Sequence, residues 1–234
     1  MNTILFDLDG TLLPMDIEIF TAAYFKGLVT KLAPYGYDAE SLVKAVWAGT
    51  KAMALNDGQV TNKEAFWKII SETLGERVFE HEAIFDDFYI NEFKRVKEVC
   101  GFNPLAASLI KKLKSNGYRV ALATNPIFPQ TATYERISWT GLTPDDFEHV
   151  TTYENSSHCK PNPAYYLDVA SSLGVCPKDC LMVGNDVTEE MIAEKVGMSV
   201  FLLTDCLINK DEKDISAYQR GGFENLAEYL KINL

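Results

Sequence analysis

The sequence predicts an α/β protein, a three-layer α/β/α core on a parallel sheet with a smaller α-helical segment inserted near its start. Short apolar runs at Thr3 to Phe6, Arg119 to Ala123, Cys180 to Val183 and Ser199 to Leu203 have the length of buried strands. Helical patterns alternate with the later runs, which is the rhythm of βαβ units. A long interval from about Met15 to Val99 has a different character, rich in aromatics and helix formers.

The first run stops at an Asp/Gly turn signal and reads as a buried strand. Phe20, Tyr24, Leu28 and Leu32 then recur at helical spacing, as do Leu42, Val43, Val46 and Trp47. Breaks are expected at Pro34-Tyr35-Gly36 and Asn56-Asp57-Gly58, and Glu64 to Leu74 forms another amphipathic helix ending before Gly75. Asn103-Pro104 opens a helix carrying Leu105, Leu109 and Leu113, which Gly117 closes before the next strand. A further apolar run lies at Phe147 to Val150, a helix at Ala164 to Leu173, and a terminal helix at Phe223 to Leu230. Sheets of this kind bind ligands outside the carboxyl ends of their strands.

A chain of 234 residues with 47% hydrophobic content can bury one large core, or a core with a smaller insertion. Its net charge of -11, with no basic patch, speaks against a nucleic-acid or anionic-membrane surface. An anionic substrate would need a local positive centre. No apolar segment is long enough to span a bilayer and no basic leader precedes the first strand, so a soluble, cytoplasmic protein is expected. Five cysteines, an odd number, read as reduced thiols; Cys176 and Cys180 have no second pair at zinc-like spacing.

The chemistry concentrates at strand ends. In Asp7-Leu8-Asp9-Gly10-Thr11, the aspartates at i and i+2 address one side of an extended strand. Side by side they repel, which a cation or a shared proton relieves, and both arrangements suit phosphoryl transfer. Gly10 permits a sharp bend and Thr11 can hydrogen-bond locally to hold it. Asp-x-Asp alone is equally the mark of an acidic turn, so partners elsewhere decide. Thr124 and Asn125 end the second strand, where a hydroxyl and backbone N–H groups can meet a phosphoryl oxygen. In Lys160-Pro161-Asn162-Pro163 the prolines fix the backbone and present the lysine at a helix entrance. Asp186 follows another apolar strand, in Val183-Gly184-Asn185-Asp186, and supplies a further carboxylate.

The heptapeptide Phe6 to Leu12 closely resembles the first motif of the haloacid dehalogenase (HAD) superfamily, and Thr124, Lys160-Pro161 and the Asp186 loop resemble its later motifs in chain order. The resemblance implies a Rossmann-like core over residues 1–14 and 100–234, with a helical cap over 15–99. It implies that Asp7 is a covalent nucleophile, Asp9 a general acid and base, and Thr124 and Lys160 further catalytic residues. Thr11, Asn125 and Lys160 would contact the phosphoryl group. Mg²⁺ would be held by Asp7, the Asp9 carbonyl and Asp186. The common pattern has Gly followed directly by Asp; here Asn185 takes that place, and Asn185 and Glu190 are further candidates at the metal.

The function implied is a Mg²⁺-dependent phosphatase acting on a small phosphorylated metabolite through an aspartyl-phosphate, with no nucleic-acid or membrane partner. Dehalogenases of this group normally lack an acid at the Asp9 position, which favours phosphoryl transfer. A sugar-phosphate mutase and a non-catalytic phosphate-binding protein are the alternatives. Selectivity is expected in the insertion, where Tyr24, Trp47 and Lys51 are candidate contacts, each equally readable as a packing or solvated residue. Neither the substrate nor the oligomeric state can be read from the sequence.

Overall fold

In the computed structural model, which describes residues 2–233, five strands form one sheet in the order β2-β1-β3-β4-β5. They are β1 (Thr3–Phe6), β2 (Arg119–Leu122), β3 (Cys180–Gly184), β4 (Ser199–Leu203) and β5 (Gln219–Gly221). Every neighbouring pair is parallel, and Phe6 at the end of β1 lies level with Leu122 and Val183. Successive side chains on a strand point to opposite faces. Ile4 and Phe6 accordingly enter one apolar layer with Leu109 and Leu113 of α5 (Pro104–Ser115) and Leu226 of α8 (Phe223–Tyr229). Leu5 faces the other way, into a layer with Met182 and with Tyr165, Tyr166 and Val169 of α7 (Pro163–Ser172). The result is the three-layer Rossmann-like architecture.

The connection order creates the site. From β1 the chain runs through the helical segment and α5 to place β2 on one side. It then returns through α6 (Gln130–Trp139) and α7 to place β3 on the other. A parallel sheet whose connections reverse in this way opens a crevice at the carboxyl end of the strand between them. Here that strand is β1.

Residues 17–99 are helical. They form α1 (Ile17–Leu32), α2 (Ala39–Ala54), α3 (Asn62–Leu74) and α4 (Glu82–Ile90), with tighter 3-10 turns at Glu76–His81 and Glu92–Val99. Local chemistry sets the starts. Asp16 and Asp38 accept backbone N–H groups at the first turns of α1 and α2, and Thr61 with Glu64 makes a capping box on α3. Phe20, Tyr24, Leu28 and Leu32 are buried together on α1, as their spacing predicts. On α2, Leu42 and Val46 are buried but Trp47 stays 52% exposed, off the packed face.

Besides ring contacts such as Phe20 with Phe128 and Phe93 with Trp139, backbone and polar bonds fasten the segment to the rest of the chain at two places. Met15 and Cys100 form an antiparallel bridge, and Gly101 N donates to Pro14 O at 2.7 Å, so the departing and returning chains lie side by side. The second place is the start of α3. Asn62, fully buried, donates through Nδ2 to Pro126 O at 3.2 Å and Cys159 Sγ at 3.3 Å, while its N–H reaches Ser156 O at 2.8 Å.

Two expectations change. Phe147 to Val150 runs beside β2 but pairs with it only as a single parallel bridge, Val150 to Leu122, with Glu148 N donating to Val120 O at 2.8 Å, Leu122 N to His149 O at 2.8 Å and Thr151 N to Leu122 O at 3.1 Å, a pairing too short to make a strand of the sheet. The short polar strand β5 and helix α6 carry no strong pattern of their own and are set by packing onto the sheet. Among the described residues, no helix is long and apolar enough to cross a membrane.

Candidate active site

Asp7 is the first residue beyond β1, and its N–H still donates to Val183 O at 2.9 Å, so the sheet itself fixes the carboxylate. The next residues turn sharply, with Thr11 N and Leu13 N donating to Leu8 O and Gly10 N donating to Leu13 O. Gly10 has φ +82°, and a Cβ there would fall on the Asn185 side chain, so both backbone conformation and space call for glycine. Thr11 Oγ1 donates to Asn185 Oδ1 at 3.0 Å and Asn185 Nδ2 donates to Cys206 O at 2.7 Å. These two side chains brace neighbouring strand-end loops. Thr11 is not among the residues that line the cavity described below.

Lys160 reaches the same point from before α7, with its side chain fully buried. Nζ lies 2.8 Å from Asp7 Oδ1 and 2.8 Å from Glu190 Oε1. Burial opposes its charge, but the carboxylates of Asp7 and Glu190 outweigh that and hold the ammonium well above the ordinary lysine range. The second oxygen of Glu190 accepts Asp186 N at 2.7 Å. Glu190 is thus committed on both oxygens, as the counter-charge of Lys160 and the brace of the Asp186 loop. Burial pushes its carboxyl upward while Lys160 pulls it back.

Asp9 has a partner that the sequence did not disclose. Arg136 of α6 is fully buried, pairs with Asp9 Oδ2 through Nη1, and lies 4.5 Å from the centre of the Phe128 ring. Burial raises the Asp9 carboxyl above the usual range, Arg136 pulls the other way and Asp7 adds to the rise. Asp9 Oδ1 is buried without a hydrogen-bond partner. Thr124 is buried at the end of β2, its carbonyl accepting Tyr165 Oη at 2.8 Å and Thr151 Oγ1 at 2.7 Å. Asn125 donates to both oxygens of Glu189 at 3.2 Å and leaves its own Oδ1 buried and unpaired.

These groups open into a cavity of about 320 Å³. Asp7, Asp9, Thr124, Asn125 and Asp186 line its floor; Tyr24 and Trp47 are among the helical residues above, and Lys51 is not. Lys160 stands behind Asp7.

Asp186 Oδ1 accepts the N–H groups of Thr188 and Glu189. Among the described residues no hydrogen bond reaches its Oδ2 or Asp7 Oδ2, and the Asp9 carbonyl takes no part in the turn's own bonds. No three His, Cys, Asp or Glu side chains among the described residues gather closely enough to hold a metal alone. Two free carboxylate oxygens and a carbonyl nevertheless suit a hard cation that keeps waters and a substrate oxygen in its shell. Asn185, spent at both ends of its amide, does not offer such an oxygen, whereas Asp186 does.

Comparison with known proteins identifies the family. The family pattern of haloacid dehalogenase-like hydrolases matches residues 1–197. The chain is 25% identical to a phosphoglycolate phosphatase of Psychrobacter arcticus, over 86% of this chain and 82% of that one. It is 26% identical to the pyrophosphatase PpaX of Bacillus cereus, over 80% and 75%. Among solved structures, the HAD-hydrolase YfnB of Bacillus subtilis bound to magnesium superposes with a TM-score of 0.55 over 99% of both chains at 18% identity.

Proposed function

The chain belongs to the haloacid dehalogenase-like hydrolase family as a phosphatase, and from that premise we propose that it hydrolyses a small phosphate monoester through an aspartyl-phosphate on Asp7. The observation that carries this reading is the contact of Lys160 Nζ with Asp7 Oδ1 at 2.8 Å, beside an Asp9 whose Oδ1 is buried and unpaired. An ammonium held charged next to a carboxylate lets an anionic ester approach an anionic nucleophile.

Asp7 attacks phosphorus in line with the leaving oxygen, and the phosphorus–oxygen bond to the alcohol breaks as the new bond to the carboxylate forms. Asp9 gives its proton to the departing alkoxide, while Arg136 holds its Oδ2 edge in place. It then takes a proton from the water that attacks the intermediate, returning Asp7 to its free form and releasing phosphate. Thr124, Asn125 and the backbone after β2 receive the phosphoryl oxygens. Asp7, Asp186 and the Asp9 carbonyl would hold Mg²⁺, which when bound neutralises charge on the transferring group. Residues 15–99 act as the cap and exclude water from the core of 1–14 and 100–234. The five unpaired cysteines support a cytoplasmic setting.

Replacing Asp7 by Asn tests the assignment. Release of phosphate from a simple ester is expected to fall at least ~10⁴-fold with the circular dichroism spectrum unchanged. Substantial turnover by the verified variant would remove Asp7 from the nucleophile role.

A further inference from the structure

The two ends of the cavity have opposite chemistry. Ten of its lining side chains are aromatic, six are acidic and only one, Lys210, is basic. Lys210 is solvent-exposed, and the buried cations Lys160 and Arg136 are already paired with Asp7, Glu190 and Asp9. The phosphoryl end therefore has positive charge at hand, whereas no cationic side chain lines the far end; Lys63 lies near Asp86 outside the lining and is paired with Glu82 at 3.1 Å. Asp86 stands there instead, exposed at the mouth.

The aromatic end is a built surface. Trp67 packs edge-on against Phe66 and Phe85, with ring centres 5.8 Å and 5.3 Å apart, and Phe25 packs against Trp47 at 5.5 Å. Such pairs hold rings in fixed attitudes. Trp47 and Ile17 nevertheless leave 52% and 41% of their surface in solvent at this same cavity. Apolar side chains left open beside a catalytic floor offer area that a ligand can cover.

A leaving group bearing a second anion, such as a carboxylate or another phosphate, would bury that charge among rings and face Asp86 without a cation in the lining to meet it. A flat apolar group would cover the rings at no such cost. We propose that the enzyme selects phosphate monoesters whose alcohol carries an aromatic or similarly broad apolar group and no second anionic charge, seated against Phe25, Trp47, Phe66 and Trp67. The inference rests on the phosphatase reading and names the substrate class of that site.

The test compares kcat/KM of the Mg²⁺-loaded full chain on three primary alkyl esters, so that aryl leaving-group activation does not enter: 2-phenylethyl phosphate, ethyl phosphate and 2-phosphoglycolate. The phenylethyl ester is expected to exceed each of the others by about a hundredfold. Trp47→Ala is expected to cut the phenylethyl-to-ethyl ratio by about tenfold, and Asp86→Lys to raise the phosphoglycolate-to-ethyl ratio by about tenfold. Equal or better turnover of ethyl phosphate or phosphoglycolate overturns the substrate class and leaves the phosphatase standing. If none of the three esters turns over, the proposed hydrolysis of small monoesters falls, and tryptophan quenching decides the pocket independently. Saturable quenching by 3-phenylpropylphosphonate but not by propylphosphonate supports an aromatic seat, and equal response to both removes it.

Discussion

The floor and the roof of the cavity are built on opposite principles. On the floor, buried charges meet in pairs: Lys160 with Asp7 and Glu190, and Arg136 with Asp9. Each stands at or beside the end of a strand, or on a helix packed against the sheet, where backbone hydrogen bonds leave little freedom. In the roof, α1 to α4 meet inside through rings, such as Tyr24 with Phe88 and Trp67 with Phe85, and through the neutral link Tyr24 Oη to Tyr89 Oη at 2.9 Å, while their ion pairs, Lys31 with Asp87 and Glu92 and Lys63 with Glu82, involve partly exposed side chains. Charge pairs in a low-dielectric site depend on placement to a fraction of an ångström, whereas apolar contact tolerates adjustment. A rigid sheet suits reaction chemistry, and packed helices suit recognition.

Breaking the floor should cost most. Lys160→Met removes the cation between two buried carboxylates and is expected to lower kcat by ~10³-fold or more and stability by ~3–5 kcal/mol, measured by phosphate release and urea unfolding. A loss of activity alone would show that the carboxylates find another partner. Arg136→Met strands the Asp9 carboxylate and should cost ~3 kcal/mol. Combined with Asp9→Asn, the loss should be less than the sum of the single losses, and simple additivity in denaturant melts would separate the two residues energetically. The roof should respond least. In Gly49→Ala the new Cβ would lie 2.6 Å from Phe66 Cδ2, an overpacking worth ~1–3 kcal/mol. The charged floor is untouched, so the melting temperature should fall and any change in catalysis should appear in KM for esters seated on Phe66 rather than in kcat; a large loss of kcat would contradict the division.

How much of this was legible in the sequence follows the same division. Asp7, Asp9 and Asp186 were readable because each sits in a compact string next to an apolar strand, and the sheet order carries those ends to one place; Lys160 was readable from its Lys-Pro string at a helix entrance. Arg136 was not, since an arginine in an amphipathic helix reads as solvated and its partner lies 127 residues earlier in the chain. Glu190 was readable as an acid near the metal but not as the anchor of Lys160, because that depends on a side chain arriving from before α7. Helical spacing found the packed stripe of α1. On α2 it put Trp47 with Leu42 and Val46, whereas the tryptophan turns to the cavity mouth. A periodic pattern marks which residues share a stripe, not which neighbour or void lies opposite each one.

The bridge between Met15 and Cys100, with Gly101 N bonded to Pro14 O, has a consequence for how such an enzyme can be remade. Because the two seams of the helical segment lie against each other, its ends are held together by the sheet-bearing part and add little loop-closure entropy of their own. Segments with neighbouring ends are the ones that chains exchange or accept most readily. A transplant cut at Pro14 and Gly101 would carry in a foreign roof without moving a strand, provided that the guest also supplies a donor where Asn62 grips the loops at Pro126 and Cys159. The helical segment is joined by two adjacent seams, one polar latch and a shared apolar face.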